Sequence, residues 1–190
     1  MKHYNTIPRL DDDGTLKGEE IWAFNKLDGQ NFCVKYSPKN KEFGPFGSRK
    51  RLVDEGDEQF GETVKFFNNS NIPTELIKIV KENSGKKGLF NGVQEITFFF
   101  EWYGEHSFAG VHQEGDDMHL TLIDVDIKKK GYIEPKVFYE LFGGNDNIEI
   151  PELIYNPDRS FQKADSYGWK GIDELYTKRY NDKNSLYVNG

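Results

Sequence analysis

The chain has 190 residues, of which 36% are hydrophobic and 30% charged, and its formal net charge at pH 7 is −7. This length suits one domain of ordinary size, and an aromatic content of 15% supplies enough apolar area for a sizeable core. The acidic balance argues against binding nucleic acid through a wholly basic surface, because cationic side chains dominate that affinity.

Cysteine content and hydropathy bear on the compartment. Cys33 is the single cysteine, which excludes an internal disulfide framework and fits a reducing environment. No apolar run approaches the length of a membrane span, and the N-terminal MKHYNTIPRL lacks the apolar stretch of a signal peptide. We therefore expect a soluble, cytoplasmic protein that forms a single domain over residues 1–190.

Strand-like and helical patterns follow one another along the chain. Runs rich in β-branched or aromatic residues predict strands at 20–26, 31–37, 43–53, 93–104 and 119–127. Apolar periodicity, with proline and glycine as start and stop signals, predicts helices at 57–69, 72–85, 134–144 and 171–180. A short apolar run, SLYV, follows the last helix. Strand groups separated by helices indicate an α+β fold with mainly antiparallel sheets.

The segment FNKLDGQNF, residues 24–32, places Lys26 two residues before the pair Asp28-Gly29. Asp-Gly between two alternating runs is a strong hairpin signal, because a type I′ turn needs positive φ at both central residues. The simplest prediction pairs IWAFNK with QNFCVKY as two strands of a hairpin. Lys26 is then a side chain at the neck of the turn.

Charged residues within strand-like runs form an ordered set downstream of Lys26. Arg49 and Arg51 lie in FGSRKRLV, Glu101 interrupts the apolar run FFFEWYG, and Asp124 and Asp126 end the run HLTLIDVDI. A carboxylate within a strongly apolar strand costs free energy unless it is paired or faces a polar site. Glu101 is therefore a functional candidate, and the alternative is a carboxylate on the exposed face of an amphipathic strand.

Four segments in this order resemble the motifs of the covalent nucleotidyltransferase superfamily, which comprises ATP-dependent DNA and RNA ligases and mRNA-capping guanylyltransferases. They are KLDGQN, FGSRKRL, FFFEWYG and LTLIDVDI, within residues 21–127. DNA ligases and capping enzymes usually carry an arginine two residues after Asp-Gly. This chain has Asn31 there, which is similar to phage-type double-strand-sealing RNA ligases, although many of those have His-Gly in place of Asp28-Gly29.

The resemblance implies an adenylation domain that uses ATP and Mg²⁺. Lys26 would attack the α-phosphorus of ATP to form lysyl-AMP, and the AMP would pass to a 5′-phosphate end of nicked RNA before sealing. Glu101 would also help to hold the metal. Arg49 would approach the ribose or the incoming phosphate, and Arg51 would take that role if the register of the motif slips by two residues. The implied nucleotide-binding residues are Asp28, Gly29, Asn31, Arg49, Glu101 and Leu120, the last at a base-stacking position where the family often has an aromatic residue.

Two further motifs of the superfamily, Glu-Gly before apolar residues and Lys-x-Lys, are not found after residue 131. EGDD at 114–117 comes too early, and so do Lys128 and Lys130. We therefore expect that the C-terminal part of the adenylation domain is missing, and that an unpaired sheet edge promotes self-association or pairing with a second fragment. The alternatives are a non-catalytic module that binds a nucleotide or RNA ends, a capping-type guanylyltransferase, and a structural protein with an accidental KLDG.

Overall fold

The computed structural model describes Tyr4, residues 22–105 and 112–156, and the backbone of 186–189. These residues fall into two compact units. The first unit contains Tyr4 and Asp28–Ile150, and the second contains residues 22–27, 151–156 and 186–189. The predicted helix at 171–180 lies outside the described residues. Among the described residues, no helix is long and apolar enough to cross a membrane.

The described elements are short strands and three helices. The strands are β1 Trp22–Asn25, β2 Gln30–Ser37, β3 Glu42–Ser48, β4 Leu52–Val53, β5 Ile96–Tyr103, β6 His119–Ile127, β7 Gly131–Tyr132, β8 Leu153–Tyr155 and β9 Leu186–Asn189. The helices are α1 Gly61–Asn69, α2 Ile72–Glu82 and α3 Pro135–Phe142. The mixed composition and the antiparallel sheets match the α+β prediction.

The first unit is built on an antiparallel sheet of order β4-β3-β2-β5-β6-β7. Residues directly opposite each other on antiparallel strands share a face of the sheet. Phe100 lies opposite both Phe32 and Leu122, so their side chains form one apolar face. Phe67 of α1 packs on this face, with its ring centroid 5.9 Å from that of Phe100 and 6.3 Å from that of Phe32. We call this the helical face.

The opposite face of the same sheet carries several polar side chains on β2, β5 and β6. Asn31, Glu101 and Thr121 lie opposite one another on β2, β5 and β6, and Thr121 is fully buried. Further along β6, Asp124 and Asp126 are also buried. We call this the polar face. Side chains alternate between the two faces along each strand, and the pairing of β5 with β2 and β6 therefore places these residues on one face.

Two of the helices show their start signals directly, because Pro73 lies in the first turn of α2 and Pro135 in that of α3. The predicted strand at 43–53 is divided into β3 and β4. The division occurs because Ser48 N–H donates to the Arg51 carbonyl over 2.8 Å and turns the chain back on itself. The predictions for 57–69, 72–85 and 134–144 are confirmed as α1, α2 and α3, with shorter bounds.

The second unit contains an antiparallel sheet of order β8-β1-β9. On β1, Ala23 lies opposite Tyr155 of β8 and Val188 of β9. Trp22, Ala23 and Phe24 are buried. The backbone N–H of Asn25 donates to the Glu152 carbonyl over 2.8 Å.

The predicted hairpin at Asp28-Gly29 is wrong. β1 pairs with β8 and β9, whereas β2 pairs with β3 and β5, so the Asp-Gly pair connects strands of two different sheets. Gly29 does not adopt the positive φ that a type I′ turn requires. Glycine is needed there for another reason, because a Cβ at Gly29 would lie 2.4 Å from the carbonyl oxygen of Trp102.

Candidate functional site

A hydrogen bond joins two sequence motifs that lie 72 residues apart. The backbone N–H of Gly29 donates to Oε1 of Glu101 over 3.0 Å. The contact requires the close approach of the chain at Gly29 to β5, which only a residue without a side chain permits. Glu101 is half-buried, and its carboxylate therefore meets the free-energy cost of partial burial by accepting a backbone hydrogen bond.

Asn31 lies directly opposite Glu101 across the β2–β5 pair, on the polar face. Its amide nitrogen donates to the Phe100 carbonyl over a long distance of 3.5 Å. The side-chain oxygen of Asn31 is buried and has no hydrogen-bond partner among the described residues. An acceptor left in this state costs free energy. A ligand with a hydrogen-bond donor could satisfy it.

The two candidate arginines have different surroundings. Arg49 is exposed and follows directly on β3, whose last residue, Ser48, lies opposite Phe32. Arg49 is thus at the same end of the sheet as Asn31. Arg51 forms an ion pair with Asp57, and its Nη2 lies 3.0 Å from Oδ1 of that carboxylate.

The Arg51 ion pair shifts the pKa values of both of its partners. The hydrogen bond from Arg51 holds the pKa of Asp57 well below its ordinary value, and the same contact raises the pKa of Arg51. Asp57 also accepts hydrogen bonds from the backbone N–H groups of Gln59 and Phe60, ahead of α1. Arg51 therefore contacts the segment before α1 through Asp57.

A connected group of polar side chains lies beside Glu101 on the polar face. The Thr121 hydroxyl donates to the Tyr103 hydroxyl over 3.2 Å, and Tyr103 donates in turn to Oε1 of Glu149 over 3.1 Å. His119 Nδ1 lies 3.1 Å from Oε2 of Glu149. The rings of Tyr103 and His119 stack, with centroids 5.0 Å apart and planes inclined by 12°.

The environment of Tyr103 favours its neutral form. Burial raises its pKa to about 12, the hydrogen bond with Thr121 opposes this shift, and the Glu149 carboxylate adds to it. The hydroxyl therefore remains protonated at neutral pH and can act as a donor. Sequence reasoning missed Tyr103, Thr121 and His119. Counting outward from Glu101 in steps of two along β5, and pairing β5 with β6, would have found them.

Leu120 is not brought to the face that carries Glu101. It lies opposite Trp102 on the helical face of the sheet and is 3% exposed. Because side chains alternate between the two faces of a strand, a shift of one residue moves a side chain to the opposite face. The spacing in the sequence could not decide whether Leu120 or one of its neighbours shares the face of Glu101. Tyr103 and His119, whose rings stack, are aromatic side chains that do lie on the polar face.

The acidic residues on the polar face are few and partly engaged by other groups. Asp124 accepts from the backbone N–H of Val125 over 2.8 Å, and Tyr4 donates to its other oxygen over 3.4 Å. Among the described residues, no group of three His, Cys, Asp or Glu side chains is arranged to hold a metal ion. Glu101 can supply one carboxylate, which fits the way Mg²⁺ is held by one or two carboxylates together with substrate phosphates.

The predicted nucleophile, Lys26, directly follows β1 in the second unit, and its side chain is exposed. Asp28 is exposed and is the first residue of the continuous segment Asp28–Ile150 of the first unit. Along the chain, only Leu27 and Asp28 separate Lys26 from Gly29. The first unit thus gathers Gly29, Asn31, Arg49 and Glu101 at one end of its sheet.

Comparisons with known proteins gave matches among solved structures. No protein-family model matches the chain, and no curated protein matches it. Among solved structures, the fold is similar to that of an RNA ligase from Naegleria gruberi, determined as an apo mutant, with 17% sequence identity and a TM-score of 0.46. The match covers 78% of this chain and 40% of the ligase chain.

Proposed function

We propose that the protein is an ATP-dependent RNA ligase whose first unit is the core of an adenylation domain. The observation that carries the proposal is the hydrogen bond from Gly29 to Glu101, at 3.0 Å. It brings together KLDGQN and FFFEWYG, the two segments whose resemblance to nucleotidyltransferase motifs is the most specific. Arg49 adds support, because β3 delivers it to the same end of the sheet.

Lys26 is the proposed nucleophile. Its Nζ attacks the α-phosphorus of ATP, a P–N bond forms, the bond to the bridging oxygen breaks, and pyrophosphate leaves. The amine must lose a proton before it attacks, and a free lysine holds that proton up to a pKa near 10.4. Positive charge near the amine, or removal of water from it, lowers this value and generates the nucleophile.

The remaining residues bind and orient the nucleotide. The unpartnered side-chain oxygen of Asn31 is suited to accept a hydrogen bond from the ligand. Asp28 contacts the ribose or orients the site, and the guanidinium of Arg49 contacts phosphate by a bidentate fork. The carboxylate of Glu101 binds ribose hydroxyls while Gly29 holds it in position. We assign base stacking to Tyr103 and His119 in place of Leu120, since they lie on the same face as Glu101.

Glu101 is also the proposed ligand of Mg²⁺. It would supply a single carboxylate, and the phosphates of the substrate would supply further ligands. The ion would neutralise charge on the phosphate oxygens of the bound triphosphate. In the later steps AMP passes from Lys26 to the 5′-phosphate of an RNA end. The 3′-hydroxyl of the adjoining strand then displaces AMP and seals the nick. The proposed partners are therefore ATP and nicked RNA.

Self-adenylylation tests the proposal. The full chain is incubated with ATP and Mg²⁺ and its intact mass is measured, beside Lys26→Ala and a control, Lys65→Ala, which removes an exposed lysine on α1. A gain of one AMP that disappears in Lys26→Ala and persists in Lys65→Ala supports the assignment. No adduct on a folded protein contradicts the enzyme proposal.

Two further arms refine the test. GTP in place of ATP separates a ligase from a capping-type guanylyltransferase, because the proposal expects transfer from ATP. Glu101→Gln keeps the size of the side chain and an acceptor for the Gly29 N–H, but removes the charge. It should strongly reduce adduct formation while leaving the unfolding midpoint almost unchanged. Sealing of a nicked RNA duplex with a 5′-phosphate then tests the complete reaction.

A further inference from the structure

A recess lies in the first unit, away from the Glu101 end of the sheet. It is a cleft of about 800 Å³ between the β2–β3 turn, α2 and the segment before β5. Clefts of about 300–1,000 Å³ are the usual size of small-molecule sites. The lining includes Lys39 and Lys41 from the turn and Lys81 from α2.

The charge of this cleft differs from that of the whole chain. Three lysines line it and no Asp or Glu does, although the protein has 32 acidic and 25 basic residues. Among the described residues, no carboxylate forms an ion pair with Lys39, Lys41 or Lys81. All three are exposed, so their ammonium groups remain available to an anion.

The floor of the cleft is apolar. Val80 and Phe90 are 2% exposed, and Ile77 and Val93 complete the surface. Asn40 and Gln94 add polar groups at the rim that can both donate and accept hydrogen bonds. The cleft therefore combines an apolar surface for a flat body, amides for polar edges and cations for negative charge.

The walls are held in place by hydrogen bonds within the first unit. In the turn, Lys41 N–H donates to the Ser37 carbonyl over 2.8 Å. On the other wall, Phe90 N–H donates to the Asn83 carbonyl over 3.0 Å and Val93 N–H to the Phe90 carbonyl over 3.2 Å. Such a preformed cleft loses little conformational entropy when a ligand binds.

The cleft and Glu101 lie at different ends and on different faces of the sheet. Tyr36, which lines the cleft, is opposite Ile96, five residues from Glu101 along β5. At a rise of about 3.3 Å per residue, this spacing is about 16 Å. Tyr36 shares the helical face with Phe32, whereas Glu101 is on the polar face.

We propose that this cleft binds a nucleoside monophosphate unit, with the phosphate on the lysines and the base over the apolar floor. The proposal rests on the cleft alone and holds whether or not the chain is a ligase. The unit could be a free mononucleotide or one residue of an RNA strand, which present the same chemistry. A lysine cluster without a competing carboxylate suits a phosphate, and the apolar floor suits a base.

Binding can be located residue by residue by NMR of the isotope-labelled full chain. AMP is titrated while the backbone amides of Asn40 and Gly92 report on the cleft, and that of Gly29 reports on the Glu101 end. We expect shifts at Asn40 and Gly92 that saturate, whatever happens at Gly29. Adenosine should bind the cleft about tenfold more weakly or worse, because it lacks the phosphate.

Matched variants test the role of the lysines. Lys39→Glu/Lys81→Glu should weaken AMP binding at Gly92 by about tenfold or more. The control, Lys65→Glu/Lys136→Glu, changes the net charge equally at exposed positions that do not line the cleft, and should leave binding almost unchanged.

Three results would overturn the proposal. They are the absence of shifts at Asn40 and Gly92 up to millimolar AMP, equal weakening by both double variants, and equal binding of adenosine and AMP. A single-stranded hexaribonucleotide separates the two sources of the ligand. Much tighter binding than AMP at the same amides identifies a strand, and equal binding identifies the free nucleotide.

Discussion

Gly29→Ala is the substitution that most directly tests why the chain has glycine beside Glu101. An added Cβ would lie 2.4 Å from the Trp102 carbonyl oxygen and 2.8 Å from the Cβ of Tyr103. Both neighbours belong to the framework of β5 and cannot swing aside. Reaching even the 3.0 Å limit for real Cβ contacts requires a displacement of about 0.6 Å.

The cost of this displacement follows from the packing. β2 and β5 are paired over seven residues, so moving Gly29 strains the ladder or lengthens its bond to Glu101. Overpacking of this kind costs about 1–3 kcal/mol. With a urea m-value of about 1–3 kcal/mol per molar for small proteins, the midpoint should fall by about 1 M.

Urea unfolding followed by tryptophan fluorescence and circular dichroism measures the effect. Gly144→Ala is the matched control, because nothing lies within 4 Å of a Cβ at that position and its φ is not left-handed. It should change stability by less than about 1 kcal/mol, in the stabilising direction if at all. A Gly29→Ala midpoint equal to that of Gly144→Ala would refute the close approach of residue 29 to β5.

Two other predictions concern titratable groups in the first unit. Burial raises the pKa of the Cys33 thiol to about 11. At pH 8 only about one molecule in a thousand therefore carries the reactive thiolate. An aromatic disulfide reagent should react slowly with the native protein and rapidly with the protein unfolded in urea, and fast labelling of the native protein would contradict the burial of Cys33. The Lys35 hydrogen bond, 2.9 Å long, lowers the pKa of Glu95 below its ordinary 4.5. The ionised carboxylate therefore contributes stability above about pH 4.5 that is lost as the pH falls through the folded-state pKa. Glu95→Gln should cost about 0.5 kcal/mol at pH 7, because the pair is partly exposed, and nothing at pH 2; an equal loss at both pH values would exclude the ion pair as its cause.

Local patterns located the main elements well. Proline in the first turn and an apolar stripe were enough to predict α2 and α3, because helix periodicity and start signals depend on neighbouring residues alone. The long strands β2, β5 and β6 were predicted for a similar reason, since their β-branched and aromatic residues suit an extended, buried chain.

The Asp28-Gly29 pair shows where local reasoning failed. The dipeptide favours a hairpin, yet β1 and β2 each find partners elsewhere in the chain. The choice between these pairings depends on the total apolar area that each buries and on contacts between distant residues. Glycine is required at position 29 because Trp102, which is 73 residues away in the sequence, lies close to it in space. Rules based on neighbouring residues cannot predict such a contact.

Local patterns also did not determine which face of the sheet, or which partner, each candidate side chain meets. Arg49 and Arg51 are equivalent by spacing, but Asp57 engages Arg51. Leu120 and Thr121 differ by one residue, and the irregular register between β5 and β6, at Phe99/Phe100, decides which of them shares the face of Glu101. Such a bulge shifts every later side chain relative to its partner strand.

The sequence by itself therefore determined the mixed fold class, the position of the long strands and described helices, and the exceptional placement of Glu101 in an apolar run. Each of these is a consequence of residue type and spacing over one element. Only the tertiary structure decided that Gly29 donates to Glu101, that Tyr103 and Thr121 lie beside it, and that lysines from a turn and a helix line one cleft. Those facts depend on which strands pair and in which register, and the free energy of pairing is a property of the whole chain.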